Sequence, residues 1–233
     1  MNKYLKETKL LDYNNENIQK LIKNRKWKSL NDYQKIEKIY NFIRDEIDFG
    51  YNVSDDIPAS KILLEGFGQC NTKGILFMAL LRAVNIPCRI HGFTINKKLQ
   101  KGAMTGIVYK LAPEDVIHSW VEVLYKDKWY ELEGFILDKK YLNKLQKKFR
   151  NCKNDFCGYG VATKNFKHPS IDWNENNTYI QKEGINKDFG IYNDPDSFFN
   201  NHHQNINLLK EFMYKNIGRH IMNKNVRKIR NSK

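Results

Sequence analysis

The chain lacks an apolar run long enough to cross a membrane, and it has few cysteines for its length. Its longest apolar run, residues 75–81, falls well short of the roughly 20 residues that a transmembrane helix needs. The first fifteen residues are charged and contain no apolar core of a secretory signal, so we expect a cytoplasmic protein. The cysteines Cys70, Cys88, Cys152 and Cys157 are too scattered for a disulfide scaffold, and we expect free thiols.

Acidic residues are also scarce, with 26 Asp and Glu against 40 Lys and Arg, which gives a net charge of +14. Such a charge suits an anionic partner, but a lysine-rich composition along the whole chain explains most of the excess. Residues 218–233 hold six Lys or Arg and no acid. We interpret this tail as a solvated or frayed helix end, in at most weak contact with anionic surfaces, and we expect no nucleic-acid partner.

We expect neither a metal nor another cofactor. Cys152, Cys157 and His168 are the nearest approach to a zinc motif. Their spacing is loose and a fourth ligand is not obvious, so the pattern is a poor match to a structural zinc site.

Hydrophobic spacing divides the chain into three predicted parts. Residues 1–30 form an N-terminal helical segment, 31–150 form the core, and 151–233 form a partly irregular extension with a basic terminal helix. Within the core, helices come first and an antiparallel sheet follows, which predicts the α+β class. The sequence leaves the oligomeric state undetermined.

The elements follow from apolar periodicity and turn residues. Helices are predicted at 31–48, after Ser60, at 72–84, at 141–149 and at 206–216; strands are predicted at 88–95, 106–111, 116–125 and 129–136. The last two strands form a hairpin across a two-residue turn at Lys126-Asp127. The helix at 72–84 is apolar on nearly every side, so we expect it in the middle of the domain.

Cys70 is the candidate nucleophile. It follows Gly66-Phe67-Gly68-Gln69 and opens the apolar helix, so its sulfur would face the unpaired amide N–H groups of the first turn. Such groups favour a thiolate and can stabilise an oxyanion on a substrate carbonyl. Gly66 and Gly68 would let a substrate backbone pass close by. The alternative is an ordinary small core residue, which is how we interpret Cys88.

His118 is the candidate base. Strand alternation places His118, Trp120 and Glu122 on one face and the better core residues on the other, so we expect His118 to face a groove. The hairpin turn sets position 118 opposite position 135, and Glu133 then lies one diagonal step away, where it can orient the imidazole. The alternatives are a structural histidine and a solvated or salt-bridged surface glutamate.

Three segments together resemble the transglutaminase-like superfamily, in its small microbial branch. Residues 59–70 end in the Gly-Gln-Cys signature, residues 80–89 are similar to the family's helix end and first strand, and His118-Ser119-Trp120 is followed by Trp129 and, four residues on, by Glu133. The resemblance implies a papain-like core with a central helix packed on an antiparallel sheet. It also implies a triad of Cys70, His118 and Glu133, in which Glu133 is the orienting acid. The family usually has aspartate at the position of Glu133.

The function implied by the resemblance is cysteine-dependent acyl transfer on an amide carbonyl of a protein or peptide, through a thioester at Cys70. Water as acceptor gives a peptidase or deamidase, and an amine as acceptor gives cross-linking. We favour hydrolysis, because cross-linking also requires a site that prefers amines to abundant water. Gln69, Gly68 and Trp120 are predicted to contact the substrate. The alternatives are an inactive fold that binds a protein or peptide, and nucleic-acid or membrane association through the basic tail.

Overall fold

The computed structural model of the chain describes residues 3–204 and 206–232. Met1 and Asn2 of the predicted N-terminal segment, Asn205 of the extension and the terminal Lys233 lie outside the described residues. A four-stranded antiparallel sheet and an apolar helix packed against it form the centre of the molecule. This arrangement confirms the predicted α+β class and the central helix on an antiparallel sheet.

The helices are α1 (Glu16–Asn24), α2 (Asp32–Asp45), α3 (Ala59–Glu65), α4 (Cys70–Ala83), α5 (Gly106–Leu111), α6 (Lys139–Lys148), α7 (Pro195–Asn201), α8 (Leu208–Met213) and α9 (Arg219–Arg230). The strands are β1 (Asp48–Phe49), β2 (Phe67–Gly68), β3 (Cys88–Asn96), β4 (Asp115–Tyr125), β5 (Lys128–Leu132), β6 (Phe156–Gly158), β7 (Val161–Thr163) and β8 (Ile185–Tyr192). A π-helical turn, Tyr214–Gly218, joins α8 to α9. The central sheet has the order β5-β4-β3-β8, while β1 pairs with β2 and β6 with β7.

Helix α4 lies in the centre because its sequence is apolar on nearly every side. All of its residues from Cys70 to Arg82 are buried. At Gly74 the helix approaches β4 closely, since an added Cβ would lie 3.6 Å from Cγ2 of Val121. The one buried lysine of α4, Lys73, donates hydrogen bonds to three backbone carbonyls, those of Arg44, Ile47 and Ile136. The helix that begins with Cys70 is therefore fixed against both α2 and the sheet.

The predicted strand at 106–111 is wrong, because these residues form α5. The sheet edge that such a strand could have joined is taken by β8, which the sequence analysis did not predict. Strand β8 pairs antiparallel with β3, with irregularities between Gly92 and Phe93 and between Thr94 and Ile95. Because β3 is already paired with β4 on its other side, the segment finds no strand partner there. Tertiary pairing has overridden the β propensity of its Ile, Val and Tyr residues.

The β4–β5 hairpin has the predicted two-residue turn. Lys126 and Asp127 have φ angles of 49° and 60°, as a type I′ turn requires. The register of the paired residues, continued beyond the strands, sets position 118 opposite position 135, as predicted. Strand β5 ends at Leu132, earlier than expected, because the N–H of Glu133 donates to the carbonyl of Thr178 at 2.9 Å.

The basic C-terminal segment is a packed helix and not a solvated tail. Met222, Val226 and Ile229 of α9 are buried, and the helix predicted at 206–216 continues, through the π-helical turn, to residue 230. Arg230 is 5% exposed and forms an ion pair with the buried Asp138, whose carboxylate caps α6. Burial raises the pKa of Asp138, but the Arg230 guanidinium outweighs it and holds that pKa below its usual value.

Replacing Arg230 by alanine is expected to lower the free energy of unfolding by about 3–5 kcal/mol, because the buried carboxylate of Asp138 loses its charge partner. Urea unfolding followed by circular dichroism would measure the change. Lys228→Ala, on the exposed side of the same helix, is the matched control and should stay within about 0.5 kcal/mol of the wild type. A loss below about 1 kcal/mol for Arg230→Ala would favour the solvated tail that the sequence suggested.

Candidate active site

Cys70 is the first residue of α4, and the chain turns sharply just before it. Gly66 ends α3 with a φ of 69°, a left-handed conformation that glycine adopts without strain. At Gly68 an added Cβ would lie 2.6 Å from Oγ1 of Thr72, and that hydroxyl also accepts a hydrogen bond from the N–H of Gln69. The turn therefore places the sulfur at the N-terminal end of α4, where amide N–H groups lack helical partners. Cys70 is 7% exposed.

The side chain of Gln69 is bonded inside the protein. Its Oε1 accepts from the N–H of Asn52 at 2.8 Å, and its Nε2 donates to Oδ1 of Asp55 at 2.9 Å. These bonds hold the loop at 50–58 against the turn before Cys70. One hydrogen of the Gln69 amide is left for a substrate, so its predicted contact with substrate stays a prediction. Asp55, which these bonds bring to the site, was not selected from the sequence.

His118 lies in β4 and is fully buried, whereas the sequence predicted that it faces a groove. Its Nε2 is 2.8 Å from Oε1 of Glu133. Its Nδ1 is buried without a hydrogen bond of standard geometry, yet the imidazole and the Cys70 thiol are close enough to interact. Burial lowers the pKa of His118, but the negative charges of Cys70 and Glu133 outweigh it and raise that pKa well above its usual 6.5. The arrangement therefore places an imidazolium beside the sulfur of Cys70.

Glu133 follows β5 directly and is also fully buried. While Oε1 contacts the imidazole, Oε2 accepts two backbone hydrogen bonds, from Ile180 at 2.9 Å and from Gln181 at 2.8 Å. Because both oxygens are engaged, the carboxylate has one orientation and can hold the ring in one tautomer. Ile180 and Gln181 lie in the extension, which the sequence analysis separated from the core. The extension therefore supplies donors that fix the third candidate residue.

Trp120 lies two residues beyond His118 in β4. Its ring packs against Phe93 and Tyr179, with centroid separations of 4.2 and 5.8 Å. It is 4% exposed, and its buried indole N–H has no partner within the described residues. The structure places Trp120 in an aromatic cluster beside the imidazole, and its contact with substrate remains a prediction.

A cavity of about 480 Å³ lies beside Cys70. Its lining is mainly apolar and includes Ile95, Met104, Val108, Ile117, Phe199 and Met222. Helix α5 and the α8–π segment form much of its outer wall, and they approach each other where an added Cβ on Gly218 would lie 3.6 Å from Val108. Part of the extension therefore covers the cavity, which the sequence alone did not decide.

Comparison with known protein families gives a match to the N-terminal half of the chain. Residues 20–134 match the family model of the transglutaminase-like superfamily. These residues belong to the transglutaminase-like superfamily. A solved structure from Cytophaga hutchinsonii, named as a "putative cysteine protease", is 15% identical with a TM-score of 0.45. The match covers 83% of this chain and 47% of that chain, so this chain spans about half of the length of that protein. No curated protein matches the chain.

Membership of the transglutaminase-like superfamily supports cysteine-based catalysis in general. This transglutaminase-like domain departs from the usual pattern by having glutamate in place of aspartate. The extra methylene is accommodated because Glu133 lies beyond the end of β5, diagonally across from His118, and its carboxylate still reaches the imidazole at 2.8 Å.

Asn71 is a residue of the transglutaminase-like site that the sequence analysis did not select. Its Nδ2 donates to the carbonyl of Ile117 at 3.1 Å, and its Oδ1 accepts from Oγ of Ser119 at 2.8 Å. Both partners flank His118 in β4, so these bonds fix the distance between the start of α4 and that strand. A fully buried amide at the beginning of an apolar helix needs such partners. The signal that could have identified Asn71 in the sequence is its polar side chain, which directly follows Cys70 at the start of an otherwise apolar helix.

Replacing Asn71 by alanine is expected to lower the free energy of unfolding by about 2–3 kcal/mol, because two buried hydrogen bonds are lost. It should also slow iodoacetamide alkylation of Cys70, since the sulfur and the imidazole lose their common support. Ser119→Ala, which removes only one of the two bonds, should cost about 1 kcal/mol. If Asn71→Ala destabilises the protein but leaves the alkylation rate unchanged, Asn71 does not position the sulfur.

The other cysteines have surroundings that differ from those of Cys70. Cys88 is fully buried, and burial raises the pKa of its thiol. Cys152 donates to the carbonyl of Asp155. Within residues 3–204 and 206–232, no group of three or more His, Cys, Asp or Glu side chains is arranged to hold a metal ion. The helices of that part of the chain include none that is both long and apolar enough to span a bilayer.

Proposed function

We propose that the chain is a cysteine hydrolase or acyltransferase, in which the sulfur of Cys70 attacks an amide carbonyl of a protein or peptide. The observation that carries the proposal is the buried His118, which contacts Glu133 at 2.8 Å on one side and interacts with Cys70 on the other. A thiolate paired with an imidazolium is the reactive form of a cysteine nucleophile. Glu133 orients the imidazole and stabilises its charge.

The first half of the reaction forms a thioester. The thiolate of Cys70 adds to the carbonyl carbon, and the resulting oxyanion is stabilised by the free amide N–H groups at the start of α4. The imidazolium of His118 then gives its proton to the nitrogen of the leaving group. The C–N bond breaks, the amine or ammonia departs, and the acyl group remains on the sulfur.

The second half transfers the acyl group to an acceptor. The neutral imidazole takes a proton from water, and the hydroxide formed attacks the thioester carbonyl. Collapse of this adduct releases the carboxylic acid and regenerates the thiolate and the imidazolium. An amine in place of water would give a new amide. We favour water, because it is abundant and transfer requires an additional preference for an amine.

The reactivity of Cys70 tests the proposal without knowledge of the substrate. At pH 6.5 an ordinary cysteine is only about 1% thiolate. Iodoacetamide should therefore label Cys70 at least about tenfold faster than the exposed Cys157, although Cys70 is 7% exposed. Mass spectrometry of the separated peptides would give each rate, with the buried Cys88 as a second reference. Labelling of Cys70 no faster than that of Cys157 would contradict the proposal and favour a binding role.

The chemistry is tested with a denatured protein such as casein. Ammonia release would identify a deamidase, new amino termini a peptidase, and incorporation of an added primary amine a cross-linking activity. Cys70→Ala should abolish whichever product is seen, while Cys157→Ser is the matched control and should not reduce it. A product that persists in Cys70→Ala would exclude Cys70 as the nucleophile.

A further inference from the structure

A carboxylate that the triad does not use lies in the cavity beside the nucleophile. Asp55 and Cys70 both line this cavity. The position of Asp55 is fixed, because its Oδ1 accepts from Nε2 of Gln69 at 2.9 Å, and its loop is also held by Tyr214, whose hydroxyl donates to the carbonyl of Asn52 at 3.0 Å. The carboxylate is therefore held at a defined place in the wall of the cavity that Cys70 also lines.

Asp55 has no lysine or arginine ion-pair partner within the described residues. Burial raises the pKa of its carboxyl, and hydrogen bonds from the side chains of Gln69 and Asn71 offset only part of this effect. His118 also acts on it through its charge, but the imidazolium is already shared between Cys70 and Glu133. A partly buried carboxylate of this kind gains from a cationic partner.

We propose that Asp55 is a specificity-determining residue that binds a primary ammonium group of the compound that reacts at Cys70. This inference rests on the proposed function, because it assigns the ligand chemistry of the same site. An ammonium needs one carboxylate oxygen, whereas a guanidinium prefers both in parallel, and Oδ1 already accepts from Gln69. The mainly apolar walls around it suit the carbon chain that carries the ammonium.

The local charge matters because the chain as a whole repels cations. With a net charge of +14, the protein has no general attraction for an ammonium. The selection of a cation must therefore come from a nearby carboxylate, and Asp55 is partly buried, so its field is less screened than that of the neighbouring exposed Asp56. The ammonium can belong to the acyl donor or to an amine acceptor.

The test uses three methanethiosulfonates that differ in charge: the 2-aminoethyl reagent, the methyl reagent and the 2-sulfonatoethyl reagent. In each case the thiolate of Cys70 attacks the reagent sulfur that carries the methyl, aminoethyl or sulfonatoethyl group. The S–S bond of the reagent breaks, a mixed disulfide forms and methanesulfinate leaves. A background with Cys152→Ser and Cys157→Ser removes the exposed thiols. Each rate is divided by the rate of the same reagent with free cysteine, so that the ratio reports the site alone.

The cationic reagent should react at least about tenfold faster than the anionic one, and Asp55→Asn should reduce this ratio by about tenfold. Asparagine can still accept the hydrogen bond from Gln69, so the substitution removes mainly the charge. Asp56→Asn removes an equal charge from the adjacent residue, which also lines the cavity but is exposed and therefore more strongly screened, and it should change the ratio by about twofold or less. Equal slowing of all three reagents in Asp55→Asn would show a structural role and overturn the proposal. A ratio of cationic to anionic rates near one in the wild type would also overturn the proposal, and this measurement requires no variant.

Coumarin amides locate the ammonium and separate the two proposals. Faster release from leucyl-aminomethylcoumarin than from its acetylated form, lost in Asp55→Asn, would place the ammonium on the acyl donor. Acceleration of release from the acetylated compound by cadaverine would place it on the acceptor. If neither amide is cleaved while the labelling ratio behaves as expected, the result counts against amide chemistry at Cys70 and still supports cation binding by Asp55.

Discussion

Amide turnover should fall by about 10³-fold or more when His118 is replaced by asparagine. Asparagine is similar in size but cannot carry the proton that the leaving nitrogen needs. The imidazolium that favours the thiolate is also lost, so iodoacetamide labelling of Cys70 at pH 6.5 should slow by about tenfold or more. Both rates can be measured on the same preparation, one by product release and the other by mass spectrometry.

The matched control is His168→Asn, which replaces an exposed histidine that lies outside the triad and does not line the cavity. It should retain turnover within about threefold of the wild type, because it contacts neither Cys70 nor Glu133. Thermal unfolding of each variant would identify any loss that is due to instability. Equal turnover in His118→Asn and in the wild type would remove His118 from the mechanism.

The pH dependence follows from the direction of the His118 shift. Since the pKa of His118 is raised, the imidazolium persists through neutral pH, and turnover should decline only when the pH rises through that raised value. The stabilisation from the ion pair follows the same sign, being complete below the usual 6.5 and lost at alkaline pH. In His118→Asn, labelling of Cys70 should instead increase steeply with pH, as for an ordinary thiol. A wild-type labelling rate with that same steep profile would contradict the ion pair.

Replacing Glu133 by glutamine should reduce turnover by about 10²–10⁴-fold with little change in volume. The neutral amide no longer stabilises the imidazolium, and its NH₂ group would face either the ring or the backbone N–H groups of Ile180 and Gln181. The unfolding free energy should fall as well, by about 3–5 kcal/mol, because a buried charge pair is broken. Turnover and urea unfolding of the same variant give both numbers.

Two further variants make the Glu133 result specific. Glu131→Gln makes the same chemical change two residues earlier in β5, away from the imidazole, and should lower turnover by about threefold or less. Glu133→Asp introduces the residue usual in the superfamily but is one methylene shorter, so we expect it to lose contact with either the ring or the two backbone donors and to be less active than the wild type. Full activity in Glu133→Gln would exclude the orienting role.

The sequence identified the pieces of the site that lie in strongly patterned segments. The continuous apolar character of residues 72–84 predicted that α4 is the central helix, and it placed Cys70 at the beginning of that helix. The alternation around His118 and the two-residue turn fixed the β4–β5 register, which brought Glu133 within reach. Each of these predictions depended on local spacing, which a single sequence contains.

Other parts of the site depend on contacts between distant segments, which no local pattern contains. The donors to Glu133 are the backbone N–H groups of Ile180 and Gln181. Every residue except proline has such a donor, so the residue type does not reveal it. Strand β8 carries a weak alternation in a polar region, and it occupies the edge of β3 while residues 106–111 form a helix. Asp55 gained its position from the hydrogen bond to Gln69.

By itself the sequence determined the class of fold, the central helix and the residue types needed for thiol chemistry, since periodicity and residue chemistry are local properties. The tertiary structure alone decided that the extension completes the site, that the basic tail is a packed helix held by Arg230, and that Asp55 and Cys70 line the same cavity. These features depend on which surfaces pack together when the chain folds. The energy of that packing comes from pairs of residues that are far apart in sequence.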